Sequence, residues 1–176
     1  MAKIRGITLV ELLVVLTIVA ILAAGVVPWL GDLWLDARRS AAVNELVHAF
    51  HFARQDANRG ARDVVICRST DGERCAPAGP WQSGWLVFLN RDGDDPPVRD
   101  TGEPILKVAQ RADGLRITSN RYAWILRPSP LRATNGTLVI CDRRGPRAAR
   151  AVIVSYTGRP RLATRSAAGR PLTCPP

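Results

Sequence analysis

Residues 6–29 read GITLVELLVVLTIVAILAAGVVPW. From Leu12 to Val27 only Thr17 and Gly25 interrupt the apolar run, and with Ile7 to Val10 ahead of it the run reaches the roughly 20 residues that a helix needs to cross a bilayer. Glu11 does not belong in a plain anchor. A carboxylate inside such a run costs on the order of 2.5–3.5 kcal/mol at a helix centre, a little less nearer the end. An ammonium partner offsets much of that desolvation, and the expected place for it is another chain.

A secretory signal peptide is the plainer alternative, with Lys3 and Arg5 as its basic start and Ala23 and Ala24 near a cut. The carboxylate in the core counts against it, as does an apolar segment that continues past Pro28 into a long amphipathic helix. Gly6, Ile7, Thr8, Leu9, Val10, Glu11 and Leu12 to Val14 resemble the class III leader junction of type IV pilins and type II secretion pseudopilins. That resemblance implies a leader, Met1 to Gly6, removed by the prepilin peptidase. It also implies an N-methylated Ile7, and a Glu11 that pairs with a neighbour's N-terminal amine during filament assembly. The family usually has Phe where this chain has Ile7.

The chain has 176 residues and a net charge of +10, enough for one globular domain beside its N-terminal helix. The expected division is a leader over 1–6, a membrane and assembly helix over 7–28, the amphipathic half of the helix over 29–60 and a β domain over 61–176. Charge is uneven. Residues 1–110 hold 12 Lys and Arg against 13 Asp and Glu, whereas residues 111–176 hold 13 Arg against only Asp113 and Asp142. The C-terminal third therefore carries a balance of +11.

Four cysteines in a body held outside the cytoplasm read as disulfides. Pairing by neighbourhood joins Cys67 to Cys75 and Cys141 to Cys174, one of three connectivities that four cysteines allow. A metal reading lacks C-x-x-C spacing. His48 and His51 lie one turn apart but have no third ligand in sight, so a solvated face is expected, and no metal or cofactor.

Pro28 and Gly31 predict a bend. Beyond them Val43, Leu46, Val47, Phe50, Ala53 and Ala57 form an apolar stripe at helical spacing, opposite Asn44, His48, His51 and Gln55, and Asn58 to Gly60 ends the helix. From Val64 the period is that of strands, expected at 64–67, 84–90, 105–110, 115–120, 122–126, 137–141, 149–156 and 161–164. The layout is α+β, a long helix on antiparallel sheet. The loop NRDGDDPPVRDTGE, residues 90–103, lacks the ligand spacing of a calcium loop and reads as an acidic solvated turn. No nucleophile, base and orienting group come together in the pattern, and an enzyme is not expected.

DVVICRSTDGERC, WQSGWLVFLNRDGD and GEPIL, in that order, resemble the GspH/FimT group of minor pilins and pseudopilins. The resemblance implies a type IV pilin-like fold, with other pilins as partners. It places the protein first in the inner membrane, as a single pass with a periplasmic body, and then in a filament at the cell surface. In the basic third, Gly158, Arg159, Pro160 and Arg161 match the Gly-Arg-x-Arg motif of the FimT-type minor pilins, which implies binding of double-stranded DNA in natural transformation. Arginine forks suit phosphate oxygens, and phosphate contacts supply most sequence-independent affinity for DNA. A turn over 157–161 is expected to hold Arg159 and Arg161 outward at a hairpin tip, with Arg143, Arg144, Arg147, Arg165 and Arg170 as supporting residues. An arginine-rich composition explains Arg in place of Lys but not the imbalance between the two parts of the chain. The other reading is a GspH-like pseudopilin or pilus-priming minor pilin with a structural role alone.

Overall fold

The computed structural model describes residues 8–174, apart from the side chains of 26–28, so Gly6 and Ile7 lie outside the described residues. One helix, α1, runs from Leu9 to Gly60 without interruption at Pro28 or Gly31. The chain divides into two compact units between Arg38 and Arg39.

The first unit is helix whose described apolar side chains are mostly exposed, among them Leu12, Leu16, Val19 and Leu22. It is long and apolar enough to cross a membrane. Thr8 Oγ1 accepts the Glu11 N–H at 3.2 Å, which satisfies one of the donors left over at a helix start. Glu11 thereby sits in the first turn, where the positive end of the helix dipole favours a carboxylate.

In the second unit the helix buries Ala42, Val43, Leu46, Ala49, Phe50, Ala53 and Ala57, while His48 and His51 are exposed. It ends at Gly60, within the expected 58–60. Ala61 has φ 49°, and the Arg62 N–H donates to Ala57 O at 3.3 Å. This is the left-handed cap that glycine normally supplies.

Eight strands follow: β1 (Asp63–Arg68), β2 (Trp85–Asn90), β3 (Ile105–Ala109), β4 (Arg116–Ser119), β5 (Ala123–Leu126), β6 (Gly136–Cys141), β7 (Arg150–Val154) and β8 (Pro160–Ala163). They form two antiparallel sheets, ordered β3-β2-β1-β5 and β4-β6-β7-β8. Alternation along the strands splits each sheet into two apolar faces. The inner faces, Val64, Ile66, Val87, Trp124 and Leu126 from one sheet and Ile117, Leu138, Ile140, Val152 and Val154 from the other, close on the helix stripe as one core. Phe50 meets Trp124 edge to face at 5.2 Å in its middle.

The outer faces are covered locally. Cys67 is bonded to Cys75, and the Cys67 side packs with Val65, Leu86, Phe88 and Ile125. Cys141 is bonded to Cys174, and Leu172 of the tail packs over Cys141, Ala149, Ala151 and Ile153. The acidic loop is organised by its own buried Glu103, which accepts the N–H groups of Arg91 and Asp100.

Candidate nucleic-acid interface

The turn between β7 and β8 is built around Gly158. Its N–H donates to Ser155 O at 2.8 Å, Ser155 N–H donates to Arg159 O at 3.1 Å, and Arg159 N–H donates to Ser155 Oγ at 3.3 Å. Gly158 has φ +70°, and a Cβ there would lie 2.9 Å from Leu126 Cδ1 and 3.3 Å from Ala133 Cβ. Only glycine satisfies both the backbone angle and the space. Gly158 is buried while Thr157 and Arg159 on either side are exposed. The turn is thus pressed onto the body at one residue, and the arginine after it is left to solvent.

Arg161 is not at the tip, contrary to the expectation from sequence. It lies within β8, opposite Ile153, and is exposed. The turn is 155–159, two positions earlier than the expected 157–161, because Pro160 already pairs with Val154.

The supporting arginines fall into two places. β6, β7 and β8 form a meander, so the 142–149 connection and the 155–159 turn sit at opposite ends of β7. Five residues of strand at about 3.4 Å each separate those ends by roughly 17 Å. Arg143 and Arg147, both exposed, belong to the far end, as do Arg165 and Arg170 in the returning tail. Arg165 Nη1 donates to Gly169 O at 3.1 Å.

Arg144 is engaged in an ion pair within the fold. Its side chain forks onto Asp142, Nε to Oδ1 at 3.1 Å and Nη2 to Oδ2 at 2.8 Å, and Arg39 Nη1 reaches Oδ2 at 3.3 Å. The fork of Arg144 above all holds the Asp142 carboxyl below the usual carboxylate range, with Arg39 adding to it. Asp142 is buried. Arg144 therefore serves the fold at the root of the 142–149 connection.

At the near end the structure adds residues that sequence spacing did not mark. Arg54 Nη1 donates to Thr157 O, so the helix holds the turn from beneath. Arg132, in the connection between β5 and β6, places its guanidinium 5.4 Å from the Tyr156 ring centre. Arg127 bridges to Asp63 at 3.5 Å and Asp95 at 3.0 Å. Arg54 comes from the helix, and Arg127 and Arg132 from the β5–β6 connection within the basic third; the apposition of Gly158 with Leu126 and Ala133 brings them beside the turn. Among the described residues no group of three His, Cys, Asp or Glu converges as a metal site.

Residues 42–158 match the family of the type II transport protein GspH, and residues 1–27 match the prokaryotic N-terminal methylation motif. The fold is similar to that of the type IV minor pilin FimU of Pseudomonas aeruginosa, at 18% identity and a TM-score of 0.56, over 77% of this chain and 98% of that one. A second crystal form of the same pilin gives 17% and 0.54, over 77% and 93%. The minor pseudopilin EpsH from the type 2 secretion system of Vibrio cholerae is more distant, at 14% and 0.46, over 72% and 96%. No curated protein sequence matches.

Proposed function

The chain belongs to the GspH family of minor pilins and pseudopilins, and on that footing we propose that it is a minor type IV pilin that binds double-stranded DNA without sequence preference, for uptake in natural transformation. The observation that carries this reading is the buried Gly158 followed by exposed Arg159 and Arg161, in a segment of charge balance +11. Two guanidinium forks on an ordered hairpin suit phosphate oxygens and carry no base-reading element. Arg143, Arg147, Arg165 and Arg170 extend the contact along β7 toward its far end.

Assembly uses the other end of the chain. The prepilin peptidase removes Met1 to Gly6, Ile7 becomes the methylated first residue, and Glu11 pairs with the terminal amine of a neighbouring pilin. Before assembly the helix holds the protein in the inner membrane with its body in the periplasm. The match of residues 1–27 to the methylation motif supports this part of the reading.

The test is duplex binding by the full chain in a non-ionic detergent, followed by fluorescence anisotropy over a range of salt. Log affinity should fall with log salt at about −0.9 per phosphate neutralised. Changing Arg159 and Arg161 together to Gln should weaken binding to every sequence and flatten that slope by up to about two units, at nearly unchanged melting temperature. Lysine at both positions keeps the charge but loses the fork, and gives an intermediate loss. Unchanged binding by the Gln variant would remove the hairpin as the site. A parent that fails to bind even at low salt leaves the structural assembly role, which Glu11 and the apolar run serve equally well.

A further inference from the structure

Beside the Gly158 turn lies a depression of about 570 Å³ that includes Arg54, Asn58, Leu131, Arg132, Tyr156 and Thr157 in its lining. That volume is in the range of small-molecule sites. Its floor is well anchored. Ala133 N–H donates to Tyr156 O at 2.8 Å, Ser129 N–H donates to Asn58 Oδ1 at 2.8 Å, and Arg54 Nη1 reaches Thr157 O. Tyr156 nevertheless keeps 55% of its surface exposed, with the Arg132 guanidinium over its ring.

The charges around the depression are not alike. Arg127 at its edge is neutralised by Asp63 and Asp95. Arg54 is bound to a backbone carbonyl, which leaves its charge in place, and neither Arg54 nor Arg132 pairs with a carboxylate among the described residues. The depression is therefore cationic, open, and carries an aromatic ring and a guanidinium plane. A duplex offers its phosphates to such a site but keeps its base faces in the stack. An unpaired nucleotide offers both, and bases stack on aromatic rings and on Arg planes whatever their identity.

We propose that Tyr156 and Arg132 seat one unpaired base beside the duplex held by Arg159, so that the protein prefers DNA ends carrying a single-stranded overhang to blunt ends. The inference rests on the duplex-binding reading above. Tyr156 lies three residues before Arg159 in the same turn, so a strand leaving the arginine contact reaches the depression directly.

The experiment compares three probes on the full chain in detergent: a blunt duplex, the same duplex with an unpaired oligothymidine end, and the same duplex with an abasic end of equal length. The abasic end has the phosphates without the bases. The thymidine end should bind about tenfold more tightly than the abasic one, the scale of a single base–aromatic stack. Tyr156→Ala should abolish that difference while blunt-end affinity and melting temperature hold, and Tyr156→Phe should retain it. Equal affinity for the thymidine and abasic ends would overturn the inference and leave duplex binding standing. A preference that persists in Tyr156→Ala would also overturn it. Failure to bind any of the three would overturn the duplex reading itself.

Discussion

Arg39, on the helix, and Asp142, 103 positions later at the end of β6, meet inside the protein with Nη1 and Oδ2 3.3 Å apart and side chains 7% and 0% exposed. With Arg144 forked onto the same group, the carboxylate joins the helix to the sheet whose hairpin carries the candidate DNA contact. Losing one member of a buried pair strands the other's charge and typically costs about 3–5 kcal/mol.

Asp142→Asn should therefore lower stability by about 3 kcal/mol or more at neutral pH. Because the folded carboxyl titrates below its unfolded counterpart, its stabilisation is complete above the ordinary carboxylate pKa of about 4 and is lost as pH falls through the folded value. Parent and variant should converge in acid. Asp71, pushed down to about 2 by the backbone N–H groups of Arg74 and Glu73, makes both decline, so the difference between two melting series is what is read. A gap that stays constant with pH would show that the carboxylate's charge is irrelevant.

Gly158→Ala forces a side chain onto φ +70° and to 2.9 Å from Leu126 Cδ1. A loss of about 1–3 kcal/mol is expected from strain of this kind. The turn should lift and duplex affinity should drop even with Arg159 and Arg161 intact. Full affinity in a destabilised variant would separate the turn's conformation from its binding.

Ala61→Gly should do the opposite. A non-glycine residue in the left-handed region costs roughly 1–2 kcal/mol, part of which the greater freedom of glycine in the unfolded chain cancels. The melting temperature should rise by a few degrees, with DNA binding unchanged; a fall would mean that the Ala61 methyl contributes to packing.

Cys141→Ser releases a tail closed over 33 residues. Loss of such a bridge typically costs about 2–5 kcal/mol, and Leu172 should become accessible. Arg165 and Arg170 travel with the tail, so the salt slope of duplex binding should flatten while the Arg159 contribution remains. A melting temperature equal to the parent's would show that packing of Leu172 alone holds the tail.

Glu11→Ala should leave the fold of the second unit untouched, since Glu11 lies in the exposed first turn of the helix. Filament incorporation should be lost, as judged by the variant's absence from sheared pili at normal cellular abundance. Incorporation at the parent's level would mean that the carboxylate has no partner in the filament.

The elements themselves were legible in the sequence. Each of the eight strands lies within two residues or so of its expected span at either end, because period-two runs bounded by Gly, Pro and Asp carry their own register. The helix end at Gly60 was legible as well, although the left-handed position after it is taken by Ala61 and not by a glycine.

The features that follow from the order of residues alone are local. A period of 3.6 changing to a period of two set the order of helix and strands. The apolar run with one carboxylate marked the N-terminal segment, and the count of arginines located the charge. Which arginines stand together depends on how the helix and strands pack. A meander carries residues that are close in sequence to opposite ends of a strand, so Arg143 and Arg159 part by about the length of β7. The same packing brings Arg54 from the helix and Arg132 from the β5–β6 connection beside Tyr156. Burial of Asp142 turns Arg144 inward to neutralise it. Charge can be counted along a chain, but the face it occupies depends on which strand ends meet and which carboxylates are buried between them.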